Sequence, residues 1–185
     1  KFGIFLVGYI DDIHINNLRV VGAGNNWNQH KKAVNLMADG SVDIECFVTN
    51  KIKLEDFETV VTWSKDENFC AANDWQQNRN AEELYSWWFN CVTNPPNDFI
   101  RLGIEYQHQL VGYGDLARIN GSTAELGIAI GDSNLWGHGI GVQAAKQIIT
   151  YASSKLGITM LEAETHETNL RAIKLLEKLG FNEIS

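Results

Sequence analysis

The chain has 185 residues, of which 44% are hydrophobic and 21% charged, and its formal net charge is -8. This length suits one well-buried domain and is too short for two of ordinary size, while the hydrophobic content excludes a disordered chain. The acidic balance argues against nucleic acid as a main partner, because phosphate backbones are held by a surplus of Lys and Arg.

The cysteines and the apolar runs indicate in which cellular environment the protein works. Cys46, Cys70 and Cys91 are odd in number and lack the spacing of metal ligands, so we expect reduced thiols, no metal and a cytoplasmic location. No run approaches the length of a membrane span, so we expect no membrane partner. Residues 2–10 are apolar, but Asp11 and Asp12 follow, which predicts a strand rather than a signal sequence.

Residues 1–40 are interpreted as an N-terminal extension that packs on a sheet or completes it. Residues 2–10 and 18–21 predict strands, and the Gly- and Asn-rich residues 22–26 predict a loop. Residues 42–49 alternate apolar and polar side chains, which predicts another strand.

Two helices are predicted in the next part of the chain. Residues 54–63 place apolar side chains on one helical face, and a polar loop follows at residues 66–80. Asn80 is an N-cap before an acidic first turn, and Pro95 forbids extension of that second helix. Tryptophans at positions 63, 75, 87 and 88 fit either a core or the lining of a substrate cleft.

From Asp98 onward, the apolar side chains follow the two-residue period of β-strands. Residues 99–106 and 110–119 predict two strands joined by a short polar link, and Asn120-Gly121 predicts a hairpin turn into a third strand that includes Glu125. An antiparallel meander of three strands therefore leads into residues 136–141.

Alternate glycines at positions 137, 139 and 141 open a helix over residues 142–156. Such a turn lets an anion such as phosphate approach the unpaired N–H groups of the first helical turn. The glycines alone fit equally well a turn without a ligand. A strand at residues 158–163 and a helix after Asn169 follow, so a strand–helix–strand crossover spans the glycines.

Two motifs resemble those of the GNAT superfamily of N-acetyltransferases. The first, Gln/Arg-x-x-Gly-x-Gly/Ala in relatives, reads Trp136-Gly-His-Gly-Ile-Gly141 here; the second is an Asn169 helix that ends in Glu-Lys-Leu-Gly-Phe181. The resemblance covers residues 42–185 and is closest to the branch that acetylates N-termini of ribosomal proteins. It implies a GNAT domain at residues 41–185 of mixed α+β class, with a mostly antiparallel twisted sheet, a β-α-β crossover and helices on both faces.

The resemblance also implies acetyl-CoA as the cofactor and a set of site residues. The pantetheine arm, the diphosphate and their surroundings would be contacted by Ile128, Ala129, Ile130, Trp136, Gly137, His138, Gly139, Ile140, Gly141, Val142 and Asn169. Glu125 matches the position of a catalytic base in histone-acetylating relatives, although a solvated strand-end carboxylate is an equal alternative. The acceptor-binding candidates are Tyr113, Asp115 and Trp75.

Two departures from the family pattern concern catalysis and the end of the sheet. The hydroxyl that relatives use as an acid is absent, because Leu176 and Ala172 stand where they have Tyr or Ser. Relatives also continue past Gly-Phe181 with a long last strand. We expect either the strand at residues 2–10, or a strand of a partner chain in a homodimer, to fill that place.

The resemblance thus predicts direct transfer of an acetyl group to a primary amine, either a polyamine-like or antibiotic small molecule or a protein N-terminus. Two alternatives remain. One is a CoA-binding sensor or interaction module that lost the acid; the other is a dinucleotide-binding fold, since residues 139–144 also fit Gly-x-Gly-x-x-Ala. The antiparallel meander before the glycines counts against the second alternative.

Overall fold

The computed structural model describes residues 3–9, 46–49 and 52–184. Its strands are β1 (Gly3–Tyr9), β2 (Cys46–Thr49), β3 (Ile100–Tyr106), β4 (Gln109–Asn120), β5 (Thr123–Ile130), β6 (Met160–His166) and β7 (Asn182–Ile184). Its helices are α1 (Phe57–Trp63), α2 (Glu67–Ala72), α3 (Ala81–Thr93), α4 (Ile140–Leu156) and α5 (Leu170–Leu179). Short 3-10 turns, Leu54–Asp56 and Ser133–Leu135, lie before α1 and α4.

The strands form one sheet in the order β2-β3-β4-β5-β6-β1-β7. Neighbouring strands are antiparallel except β5 and β6, which run parallel and are connected through α4. A parallel pair needs this kind of crossover because the chain must return to the same end of the sheet. The predicted meander, the β-α-β crossover and the mixed α+β class are therefore confirmed.

One face of the sheet is covered by α4 and α5. Ile148 of α4 and Leu176 of α5 belong to a buried cluster with Leu116 and Leu126 of the central strands. Gly114 in β4 lets α4 approach closely, since a Cβ at this position would collide with the Cδ1 of Ile148. This face therefore consists of a tightly packed helix–sheet layer.

The opposite face is covered by α1, α2 and α3. Val60, Phe69 and Trp88 of these helices are fully buried, and they share a cluster with Tyr113 and Ala129 of the sheet. The helices on both faces agree with the predicted architecture. None of the described helices has the length and apolar character needed to cross a membrane.

Helix α2 was not predicted, because the sequence indicated a loop at residues 66–80. The carboxylate of Asp66 accepts a hydrogen bond from the N–H of Phe69 at 3.0 Å, which caps the helix. The other oxygen of Asp66 accepts a 2.8 Å hydrogen bond from the N–H of Ser133, which is distant in the sequence. A helix of six residues shows little periodicity and depends on such tertiary contacts, so the loop prediction was wrong here.

Strand β1 lies inside the sheet, between β6 and β7. It pairs antiparallel with β6 from Gly3–His166 to Tyr9–Met160, and with β7 around Leu6–Glu183. Two candidates were expected for the place of the relatives' last strand: residues 2–10, or a strand of a partner chain. The structure has the N-terminal strand in the sheet. The predicted features at residues 18–21, 22–26 and 42–45 lie outside the described residues, and the domain boundary near residue 40 stays a prediction.

Candidate active site

The turn between β5 and α4 keeps two glycines clear of side chains. Gly137 and Gly139 have φ of 84° and 83°, and a Cβ on either would meet no described atom within 4 Å. The first hydrogen bond of α4 runs from the N–H of Gln143 to the carbonyl of Gly139 at 3.0 Å. The N–H groups of Gly139, Gly141 and Val142 therefore have no acceptor within the helix. Such amides attract anions, so the turn suits a phosphate group.

The other predicted residues of this turn differ in exposure. A Cβ on Gly141 would lie 3.0 Å from the Cδ1 of Leu175, so this glycine allows α5 to pack against the start of α4. The side chain of Ile140 is buried, whereas His138 is exposed. The side chain of Ile140 is thus enclosed in the core, while His138 presents its ring to solvent.

A gap in the sheet opens next to the turn. The parallel ladder between β5 and β6 ends at the pair Glu125–Glu162. From Leu126 to Ile130, β5 pairs with β4 alone among the described strands, and β6 continues beside β1. The edge of β5 at Ile128, Ala129 and Ile130 therefore has backbone groups free of a strand ladder, which an extended ligand arm can pair with.

Trp136 connects the turn to the end of β5. Its indole N–H donates to the carbonyl oxygen of Ile130 at 2.9 Å, and the ring is partly buried. The guanidinium of Arg171, in the first turn of α5, lies 4.1 Å from the centre of the same ring. The residue that replaces the usual Gln or Arg of the motif therefore has a structural contact with β5 and carries a cation over its ring.

Asn169 begins α5 and contacts α2. Its side-chain oxygen accepts from the N–H of Ala172 at 3.2 Å, and its side-chain nitrogen donates to the carbonyl of Ala72 at 3.4 Å. A bond from Asn169 to pantetheine stays a prediction. Leu176 is 6% exposed and packs in the core, so its position offers no proton donor.

Glu125 lies on the face of the sheet opposite α4, at the point where the gap begins. Its carboxylate is 2.9 Å from the guanidinium of Arg118, and the two side chains are 25% and 71% exposed. Arg118 has a φ of 51° and lies at an irregularity of the β4–β5 ladder. An ion pair with so exposed a partner is weak, so Glu125 is available to a cationic ligand.

Asp115 is already paired with a cation. Its two oxygens accept from Nε and Nη2 of Arg101, both at 2.7 Å. Burial would lower the pKa of Arg101, but the hydrogen bonds and charge of Asp115 outweigh it and raise the pKa above its usual value. An ammonium acceptor would have to compete with this guanidinium for Asp115.

Tyr113 is also enclosed. Its ring lies 4.2 Å from the Arg101 guanidinium and 6.2 Å from the ring of Trp63, and only 8% of the residue is exposed. Burial raises the pKa of its hydroxyl to about 12, against the effect of the nearby Arg101 charge. The hydroxyl is therefore neutral at physiological pH and is no general base.

The described part of the chain offers no site for a metal ion, since no three His, Cys, Asp or Glu side chains come together there. Cys70 is buried and Cys91 is half-buried, and both are free thiols. Burial raises the pKa of each thiol, so neither is an activated nucleophile.

Comparison with known proteins identifies the family. Residues 48–182 match the model of the acetyltransferase (GNAT) domain, which is most of the chain. This chain belongs to the GNAT acetyltransferase family. The resemblance inferred from the two motifs is thus confirmed at the level of the superfamily, while the branch that acetylates ribosomal proteins stays a prediction.

Two curated relatives match this GNAT domain. An uncharacterized protein of Methanocaldococcus jannaschii is 33% identical over 102 residues, which are 55% of this chain and 21% of that protein. The α/β-tubulin N-acetyltransferase 9 of Mus musculus is 26% identical over 137 residues, which are 71% of this chain and 48% of that protein. The chain therefore spans less than half the length of either relative.

A solved structure supports the fold of this GNAT domain. The spermidine N-acetyltransferase of Vibrio cholerae, in complex with CoA and spermine, superposes with a TM-score of 0.66 at 18% identity. The match covers 77% of this chain and 84% of that one. At this identity the similarity establishes the architecture alone.

Sequence reasoning named Trp75 as an acceptor-binding candidate but missed the two arginines that form a group with it and Trp87. The Trp75 ring lies 5.2 Å from that of Trp87, and the Arg79 guanidinium lies 5.7 Å and 5.8 Å from the two rings. Arg101 contacts Trp87 from β3, at 5.2 Å. No periodic pattern connects these residues, because Trp75 and Arg79 lie outside regular elements.

Proposed function

We propose that this chain is an acetyl-CoA-dependent N-acetyltransferase that transfers the acetyl group directly to a primary amine. The observation that carries the proposal is the continuity of two features: the open edge of β5 at Ile128 to Ile130, and the bare amides at Gly137 and Gly139 that follow it. One accepts an extended amide-containing arm, and the other accepts a diphosphate. Their order along the chain matches the order of the groups in coenzyme A, in which the pantetheine arm is joined to the diphosphate.

The cofactor would be held mainly by the backbone. The amides of Gly139, Gly141 and Val142 bind the diphosphate, and β5 pairs with the pantetheine arm. Arg171, whose guanidinium lies over the ring of Trp136, supplies the cation that the motif has where its first residue is Arg. Asn169 donates its second side-chain N–H to the arm.

The proposed chemistry uses few side chains. The acceptor amine loses a proton to Glu125 and attacks the thioester carbonyl, so that a C–N bond forms and the C–S bond breaks. An N–H of the β5 edge stabilises the charge that develops on the carbonyl oxygen. The thiolate of CoA departs without a protein acid, since Leu176 and Ala172 carry no hydroxyl; the new amide nitrogen gives its second proton to water, and the thiolate takes one from water.

A second candidate, a CoA-binding module without catalysis, is favoured by that missing hydroxyl alone. The acetyltransferase should turn over acetyl-CoA with an amine, whereas the module should bind acetyl-CoA without turnover. Calorimetric titration with acetyl-CoA is followed by an assay for released thiol with three acceptors: spermidine, an aminoglycoside and a peptide with a free N-terminus. A second arm omits the amine.

We expect acetyl-CoA to bind and at least one amine to release thiol together with an equal amount of acetylated product, identified by mass spectrometry. Absence of acetyl-CoA binding would overturn both candidates. Binding without turnover on any amine would leave the module. A thiol release that needs no amine would indicate hydrolysis and contradict amine transfer.

A further inference from the structure

Two arginines and two tryptophans form a cluster on the side of the sheet covered by α1, α2 and α3. We call the group Trp75, Arg79, Trp87 and Arg101 the Arg–Trp cluster. The Trp87 ring is contacted by both guanidinium groups, Arg79 at 5.8 Å and Arg101 at 5.2 Å. Trp75 meets Trp87 edge to face, with ring centres 5.2 Å apart. Trp75, Arg79 and Trp87 are partly exposed, so this side of the cluster lies at the surface of the helical layer, whereas only 11% of the Arg101 side chain is exposed.

The cluster is connected to the proposed reaction centre across two strands. Arg101 lies 4.2 Å from the ring of Tyr113, and Tyr113 pairs directly with Ala129 in the β4–β5 ladder. Ala129 belongs to the open edge of β5. Because neighbouring strands lie about 4.8 Å apart, Arg101 on β3 is about two strand spacings, or roughly 10 Å, from β5. It is on the face opposite α4 and α5, from which an acceptor would approach.

The guanidinium groups of Arg101 and Arg79 differ in their hydrogen-bond and ion-pair partners. Arg101 spends Nε and Nη2 on Asp115, and its Nη1 contacts the sulfur of Cys91 at 3.4 Å. Arg79 has no carboxylate within ion-pair distance among the described residues, although the chain is acidic with a net charge of -8. Its contacts with two indole rings orient the guanidinium and leave its N–H donors available.

We infer that the Arg–Trp cluster binds an anionic group, a phosphate or a carboxylate, at the end of the acceptor remote from the amine. This inference rests on the proposed function and specifies its substrate class. Arg79 binds the anion with its planar set of N–H donors, and the exposed part of Trp87 packs against the neighbouring portion of the acceptor. A simple polyamine, which is cationic throughout, does not fit this site.

The test uses protein saturated with CoA, so that the glycine turn is filled and added anions report on another site. AMP and adenosine are compared by calorimetry, and so are hippurate and hippuramide. Each pair shares its planar part and differs in the phosphate or the carboxylate. We expect AMP or hippurate to bind at least about tenfold more tightly than its neutral counterpart, as expected for a charge-assisted pair.

Two variants separate this site from the cofactor site. Arg79→Ala should lose the preference for the anionic probe while binding CoA like the wild type, and Arg79→Lys should retain part of it. Arg171→Ala is the matched control, because it also removes a guanidinium stacked on a tryptophan. It should weaken CoA and leave the anion preference at saturating CoA unchanged. Thermal unfolding of each variant checks that the fold is intact.

The outcomes are distinct. Preference for AMP alone assigns a phosphate, and preference for hippurate alone assigns a carboxylate. If neither anion binds more tightly than its neutral counterpart, or if Arg79→Ala keeps the full preference, the inference is wrong while the acetyltransferase proposal stands. If CoA itself does not bind, the proposed function fails first, and the same titrations on the free protein still show whether Arg79 binds an anion.

Discussion

The indole N–H of Trp136 donates a 2.9 Å hydrogen bond to the carbonyl oxygen of Ile130, the last residue of β5. This bond fixes the glycine turn to the strand whose open edge precedes it. The two parts of the proposed cofactor site, strand edge and turn, are therefore connected by a side-chain hydrogen bond as well as by the chain. A substitution inside the turn should act on ligand binding directly, because the strand holds the surrounding backbone in place.

Gly139→Glu should abolish acetyl-CoA binding. The new side chain would fill open space in front of the amides and place a negative charge there, which repels the diphosphate. Calorimetry should show at least about a hundredfold loss of affinity. Gly121→Glu is the matched control, since Gly121 also has a positive φ and open surroundings but lies in the β4–β5 turn. It carries the same backbone strain and should bind acetyl-CoA normally; an equal loss in both variants would argue against a local effect.

Glu125→Gln should slow amine acetylation most near neutral pH. The deficit should shrink as pH rises, because the acceptor then loses its proton to solvent and no longer needs a base. Values of kcat/KM for the wild type and Glu125→Gln, measured from about pH 6.5 to 9.5, test this expectation. Glu162→Gln is the control, as Glu162 pairs with Glu125 across the β5–β6 ladder. A deficit that is constant over the pH range, or that Glu162→Gln reproduces, would remove Glu125 from the role of base.

Asp115→Asn should strongly destabilise the fold. It leaves the guanidinium of Arg101, whose side chain is only 11% exposed, without its counter-charge. Loss of one partner from such a pair costs roughly 3–5 kcal/mol, which urea unfolding would measure. The exposed pair of Arg118 and Glu125 gives the comparison, and Arg118→Ala should cost less than about 1 kcal/mol. Equal losses would mean that the Asp115 pair contributes no more than a surface contact.

Tyr113 should make the fold less stable at alkaline pH. Its pKa is about 12 in the folded state against 10.0 as the ordinary value, so the unfolded chain releases the proton first. The free energy of unfolding should therefore be unaffected below about pH 10 and fall as pH rises from there towards 12. Urea unfolding at several alkaline pH values should show a smaller decline in Tyr113→Phe. Tyr85→Phe, at a residue 44% exposed, should decline like the wild type; identical curves for all three proteins would contradict the assignment.

The sequence was informative wherever a local pattern determines the structure. The glycines at 137 and 139, the cap at Asn80 and the stop at Gly157 are set by backbone geometry over a few residues, so they could be read directly. The side-chain oxygen of Asn80 accepts from the N–H groups of Glu82 and Glu83, as a cap does. The antiparallel meander followed in the same way from its strand period and turn residues.

The pairing of Arg101 with Asp115 could not be read from the sequence. Counting back from the Tyr106–Gln109 end of the β3–β4 hairpin would place Arg101 opposite Gly114. An irregularity between Ile104 and Glu105 shifts the register by one, so Arg101 lies opposite Asp115 instead. A one-residue shift of this kind leaves no clear mark in the sequence, so the ion pair of Asp115 with Arg101 was not predicted, and acceptor binding by Asp115 stays a prediction.

The Arg–Trp cluster was missed for a related reason. Its residues come from the segment before α3, from α3 itself and from β3, and they meet only after the helices have packed on the sheet. The spacing of the tryptophans favoured a core over a cleft. Tertiary contacts bring Arg79 and Arg101 to these rings, and no local pattern in the sequence predicts those contacts.

The most direct measurement compares the affinity of the protein for acetyl-CoA and for S-acetylpantetheine, which has the same thioester arm but lacks the diphosphate and the phosphoadenosine beyond it. If the amides around Gly139 and Gly141 bind that diphosphate, acetyl-CoA should bind at least about a hundredfold more tightly, and the difference should disappear in Gly139→Glu. Equal affinity of the wild type for the two thioesters would contradict the cofactor assignment on which the proposed acetyltransferase activity depends.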